Sequence, residues 1–311
     1  MKLGIAISTV ILVAFVGVLV ALNVGAAPSE PTDATSPEHL RRVALPGDLP
    51  AVHESIDGQN GGGDAEPTYR AAIRHWRANE SALSRQASER PEAAVRELRE
   101  RMVEAMGAGH VSEGFLDQYL PLAPAAGPRF DAALEWIQRI MLDEAERLVE
   151  EANGAAAGRE AALAVWVMGR RAFEHNERLF NRRQGLAMMR AAGAVLGAHG
   201  AAMDIDTAAL SAWAAALEQV QSAWRPKLEV LLSIDPHAAD LIRIAEQDED
   251  RTFRIEATLR LGIAKYTADT EADREAAQGA IDALMASDDA KIAEAARAAD
   301  ALTRQELRRI R

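Results

Sequence analysis

The 311-residue chain has no cysteine. That absence removes disulfide scaffolds, thiolate-ligated zinc, iron–sulfur clusters, thiol nucleophiles and lipid anchoring on cysteine, while leaving the redox compartment open. Aromatic residues are scarce, at 5%. Alanine is abundant, and glycine and proline gather outside the segments of regular apolar spacing, a combination that disfavours strands and predicts an all-α protein. Excess positive charge is missing too. The formal net charge of -12 repels phosphate backbones and predicts no nucleic-acid partner unless a local basic face outweighs the global field. Signatures of chemistry are equally sparse. His39, His53, His75, His110, His175, His199 and His237 never fall into a His-Glu-x-x-His or other zinc spacing, and no Gly-x-Ser-x-Gly elbow or Walker loop occurs. Gly61 to Gly63 lacks the preceding strand and the following Gly-Lys-Ser/Thr of a phosphate loop. The sequence therefore implies no catalytic residue, no metal and no cofactor.

What the chain does have begins at its N-terminus. After Lys2, residues 3–22 carry no charge, and at about 1.5 Å per residue this run is long enough to span a hydrocarbon core of about 30 Å. An uncleaved transmembrane anchor competes with a signal peptide, because Val24 and Ala26, or Gly25 and Ala27, offer small-residue cleavage geometry. Lys2 before the run and Glu30, Asp33 and Glu38 after it place the body outside the cytoplasm by the positive-inside rule, in a periplasm-like compartment. Cleavage at the end of segment 1–25 would release the body into that same compartment. Residues 26–66 are rich in Pro, Gly, Ser, Thr and acids and read as a flexible, disordered linker with a reach on the order of 35 Å.

From Thr68 onward the apolar period is helical, which defines an α-helical domain over 67–234. Tyr69, Ile73 and Trp76 fall at i, i+4, i+7, and Val95, Leu98, Met102 and Met106 continue that spacing after Pro91. Pro121, Pro124, Gly127 and Pro128 predict a loop. A helix from Phe130 to Glu151 follows, with Leu134, Ile137, Met141 and Leu148 on one face. Ala162, Trp166, Gly169, Phe173 and Phe180 line a helix starting near Arg159, and Gly193 and Gly197 mark another that lets a neighbouring backbone approach closely. Two more helices are expected over Thr207–Trp224 and, beyond Pro226, Lys227–Ser233.

Three short stretches invite a chemical reading and fit structural ones better. His110 and Ser112 in "GHVSEG" read as a loop and helix cap rather than a nucleophile turn. Asp204 to Thr207, "DIDT", lacks the later carboxylates of a calcium loop and reads as helix capping. His175 beside Glu174 and Glu177 reads as a solvated i, i+4 network with Arg171 and Arg178. One stretch opposes the global charge: seven arginines face three glutamates between Arg159 and Arg190. Arg171, Arg178 and Arg182 fall at i, i+7, i+11 and are candidates for binding an acidic peptide, phosphate or anionic headgroup; pairing with acidic neighbouring helices is the alternative.

The C-terminal residues repeat at a spacing of 39. Superposing Asp250 on Asp289 also superposes Phe253 on Ile292, Ala257 on Ala296, Ala238 on Ala277, Leu241 on Ala280, Ile242 on Ile281 and Ala245 on Leu284. The first unit runs from Asp235-Pro236, an N-cap acid and first-turn proline, through a turn at "QDED" to a second helix over Thr252–Tyr266. The second unit spans Thr270–Leu302. Single helix pairs expose too much apolar surface alone, so stacking is the physical reason to repeat. Asp250, Phe253, Arg254, Ala257, Leu261 and Gly262 resemble the HEAT-repeat family. The resemblance covers about Asp235 to Leu302 and implies an α-solenoid-like segment, 235–311, with generic helical hairpins as the alternative; two repeats are fewer than the three usually needed for stability, so they are expected to dock on the preceding helices. The resemblance also implies that Asp250 caps the second helix and that Arg254 bonds to the acid of a neighbouring repeat. The second unit departs from the pattern, with Ala293 in place of the arginine and Asp300 in place of leucine, as in a terminal unit. These features make a membrane-tethered scaffold or protein-binding module with a protein partner the first expectation. An enzyme or accessory subunit with dispersed site residues, and a periplasmic chaperone, are the alternatives.

Overall fold

Apolar residues at i, i+4 and i+7 need a partner surface, and in the computed structural model each such stripe faces another helix. The structure describes residues 63–108, 111, 129–176, 178–205, 207–233 and 236–310. The N-terminal apolar run, nearly all of the linker, the Pro121–Pro128 loop and, except for Val111, the "GHVSEG" stretch lie outside the described residues. Every element described is helical, and none of these helices is long and apolar enough to cross a membrane.

Helix α1, Glu66–Ala78, buries Tyr69, Ile73 and Trp76. It leads through the four-residue α2, Glu80–Leu83, and a 3-10 turn at Ala87–Glu89 into α3, Glu92–Met106, which buries Val95, Leu98 and Met102. Helices α4, Arg129–Val149, and α5, Ala155–Glu174, form a hairpin, followed by α6, Leu179–Ala198, and the short α7, Gly200–Met203. Every residue of α5 from Ala161 to Phe173 is buried. A helix buried on all sides must be central, and α5 is packed by α3, α4 and α6.

Close contact between α5 and α6 depends on Gly169 and Gly185. A Cβ on Gly169 would lie 2.7 Å from the Gly185 carbonyl oxygen, and one on Gly185 would overlap the Gly169 carbonyl. The sequence pointed instead to Gly193 and Gly197. Gly193 makes room for the Trp213 ring, 3.0 Å from an added Cβ, and Gly197 has open space, so neither admits a second backbone.

The continuous helix expected through Phe180 is broken. Helix α5 stops at Glu174, and Asn176 accepts from the Arg178 backbone N–H at 2.9 Å and from Asn181 Nδ2 at 3.1 Å. An asparagine side chain that supplies these acceptors competes with helical continuation. The opposite occurs at Pro226, where the two expected helices form one, α8, Thr207–Leu232. Pro226 is exposed, and burial of Trp224 and Leu231 on either side holds the helix through the missing N–H.

The C-terminal helices are α9, Ala238–Gln247; α10, Arg251–Thr267; α11, Glu271–Leu284; α12, Ala290–Ala301; and α13, Arg304–Ile310. His237, not Asp235, occupies the N-cap position of α9. Within the pairs, α9 packs on α10 and α11 on α12; between pairs, α9 packs on α11 and α10 on α12. Repeat-equivalent residues share the same burial: Phe253 and Ile292, Ala257 and Ala296, Ala238 and Ala277 are all essentially inaccessible. Gly262 allows α10 to meet α12, where an added Cβ would stand 2.7 Å from the Ala299 carbonyl oxygen.

Candidate functional site: an arginine joint and a stack of paired helices

The candidate arginines do not form a solvent-facing row. Arg171 belongs to α5, Arg178 precedes α6 and Arg182 lies inside α6, so the helical spacing between them is lost at the break. Arg171 and Arg182 are 1% and 3% exposed. An exposed anion-binding face is therefore corrected to internal contacts, each with a definite partner.

Arg171 closes the C-terminus of α3. Its Nη1 donates to the Ala105 carbonyl at 2.6 Å and to the Tyr69 hydroxyl at 3.2 Å, and Nη2 donates to the Ala108 carbonyl at 2.7 Å. The last turn of a helix presents unsatisfied carbonyls and partial negative charge, so the guanidinium finds its compensation in backbone dipoles. Burial raises the Tyr69 hydroxyl above the ordinary tyrosine value, and Arg171 opposes that shift.

Arg182 joins the upstream helices to the first C-terminal pair. Its Nη1 donates to both Asp250 carboxylate oxygens, at 3.0 and 2.9 Å, and to Thr252 Oγ1 at 2.6 Å, while Nε donates to the Phe173 carbonyl at 3.0 Å. The guanidinium lies 4.7 Å from the Phe173 ring centroid and 5.2 Å from that of Trp224. Phe173 stacks on Trp224, and Trp224 meets Phe253 edge to face. Burial pulls the Arg182 guanidinium below the ordinary arginine value; Asp250 and then Glu174 oppose that pull. Arginine remains charged under such shifts.

Asp250 performs two tasks. Its carboxylate receives Arg182 and also accepts the Thr252 backbone N–H at 2.9 Å, capping α10. Asp248 repeats the theme beside it, accepting the Asp250 backbone N–H at 2.9 Å and Lys227 Nζ from α8 at 2.8 Å. The turn between α9 and α10 is thus tied to α6 and α8 by two ion pairs at the positive end of a helix. Arg178 approaches Glu256 at 3.7 Å. Glu174 pairs with Arg170 at 2.8 Å with both side chains buried, which corrects the solvated network expected around His175.

Asp289 caps α12 as Asp250 caps α10, accepting from the Lys291 and Ile292 backbone N–H groups. Arg254 differs from the expectation: its Nε donates to the Ala245 carbonyl at 3.1 Å, closing its own helix pair. The arginine that reaches the acid of another pair is Arg182. Sequence spacing missed this because Arg182 and Asp250 lie in segments that show no mutual repeat. At the far end, Lys265 donates to the Asp300 carbonyl at 2.7 Å and Tyr266 to the Leu302 carbonyl at 2.9 Å, so side chains of α10 satisfy the last turn of α12.

A groove of about 370 Å³ between α3 and α5 is lined by Arg99, Glu100, Val103, Glu104, Ala157 and Glu160. Arg99 is held by Glu144 at 3.2 Å, which leaves carboxylates without a nucleophile or a histidine beside them. Among the described residues no three His, Asp or Glu side chains are grouped to hold a metal ion. No family model, curated protein or solved structure matches the chain.

Proposed function

We propose that the chain is a membrane-tethered, extracytoplasmic scaffold whose C-terminal helix pairs are HEAT-like units that bind a protein partner. The observation that carries this reading is the stacking of α9–α10 on α11–α12, with a capping aspartate in each pair at a spacing of 39 residues. Such stacks present extended surfaces and need no concentrated polar constellation. The apolar run at 3–22 supports the tether, and the acidic overall charge favours a partner with a basic contact surface. A chaperone would need a contiguous apolar patch, and among the described residues the exposed large hydrophobic is Leu232 alone.

Proximity labelling from the intact membrane-bound protein tests the proposal. Truncation at Asp235 would also strip Arg182 of its counter-ion, so charge reversal of the exposed Glu275, Asp282 and Glu294 is the cleaner perturbation. Loss of specific labelled neighbours with unchanged thermal stability is expected. An unchanged set of neighbours would refute binding through the repeat surface.

A further inference from the structure

The turn joining α4 to α5 holds an Asn-Gly pair, Asn153-Gly154. Asn153 is exposed and sits in the left-handed region at φ 70°, a conformation asparagine tolerates better than most residues. Gly154 is buried, but without a side chain it adds no Cβ of its own to block attack of its backbone nitrogen on the neighbouring Asn side-chain carbonyl.

We propose that Asn153 is a site of spontaneous, age-dependent deamidation in the folded protein. The Gly154 backbone nitrogen attacks the Asn153 side-chain carbonyl carbon. A C–N bond forms, the amide C–N bond breaks, and ammonia leaves with the proton from Gly154. Water then opens the succinimide at either carbonyl, giving aspartate or isoaspartate, with no oxidant or reductant. The step requires release of the hydrogen bond from the Gly154 N–H to the Glu151 carbonyl, 3.1 Å long. Glu151, Ala152 and Asn153 are exposed while Gly154 is buried, so attack needs a local opening of this turn, which lies at a helix end where such openings cost least.

The two products have different structural effects. Aspartate adds charge beside Glu151, which Arg147 already engages. Isoaspartate lengthens the main chain by one carbon in a turn with no slack, since even a Cβ on Gly154 would overlap the Leu148 carbonyl oxygen. Isoaspartate at 153 should therefore loosen the α4–α5 hairpin, whereas aspartate should not. Its carboxylate is also the chemical class acted on by isoaspartyl methyl transfer.

The full chain provides an internal reference, because Asn60 precedes Gly61 outside the described residues. Trypsin separates the two sites into peptides spanning Leu148–Arg159 and Val43–Arg70. The folded protein is aged at mildly alkaline pH, and both peptides are followed by mass spectrometry and isoaspartyl methylation. Conversion of Asn153 in native buffer, its loss in N153Q, and a lowered Tm only in isoaspartate-bearing molecules are expected, with N153D retaining the parental Tm. Intact Asn153 in chains whose Asn60 has converted would overturn the proposal. So would conversion at Asn153 confined to denaturant.

Discussion

Replacing Arg182 with alanine should be among the most damaging substitutions in the described structure. The side chain is 4% exposed, and its loss leaves Asp250, 14% exposed, without a counter-ion. Removing one partner of a buried pair costs about 3–5 kcal/mol, much of it from the charge left behind. Residual solvation of Asp250 places R182A near the lower end, about 3 kcal/mol. At ordinary urea sensitivities that lowers the unfolding midpoint by roughly 1 M or more. D250N separates charge from capping, because asparagine still accepts the Thr252 N–H. In a double-mutant cycle of R182A and D250N, equilibrium urea unfolding should give a coupling of at least about 1 kcal/mol. An R182A effect below about 1 kcal/mol, or additive single effects, would refute the view that this pair ties the upstream helices to the C-terminal stack.

Gly262→Val forces a branched side chain against the Ala299 backbone and should destabilise by about 1–3 kcal/mol in thermal unfolding. Gly279→Ala, also inside a helix but with nothing within 4 Å of the added Cβ, should stabilise by about 0.5–1 kcal/mol. At high pH, Tyr69 has a raised folded value, so its contribution is complete below the ordinary tyrosine pKa of about 10 and is lost as pH climbs through the folded value. A Y69F variant should lose that alkaline dependence in a series of stability measurements. In acid, Arg101 and then His75 hold the Glu97 carboxyl below the usual range. Its contribution is therefore present above the unfolded value and lost as pH falls through the folded one, and E97Q should flatten that limb.

Period and capping chemistry made much of this architecture legible. Tyr69, Ile73 and Trp76 announce α1, and Asp250 and Asp289 announce two helix starts, because each signal is local and has one physical reading. The break at Asn176 was not legible: apolar residues continue in register across it, and the side-chain acceptor that ends α5 looks like any other polar residue. Pro226 misled in the other direction, since burial on both sides outweighed one missing hydrogen bond. The role of Arg182 was hidden for a different reason. Seven arginines in one stretch suggest a surface, and only long-range packing reveals that an acid 68 positions away receives one of them.

Carbodiimide coupling of the native protein tests the stacking of the two pairs most directly. Lys265 on α10 lies 3.6 Å from the half-exposed Asp300 carboxylate on α12, and the absence of cysteine removes competing thiols. An isopeptide bond between Lys265 and Asp300, abolished in D300N and formed within single chains, is the predicted product. Activation of Asp300 that never yields this bond, while Lys227 couples to Asp248, would place α10 and α12 apart and contradict the stacked arrangement.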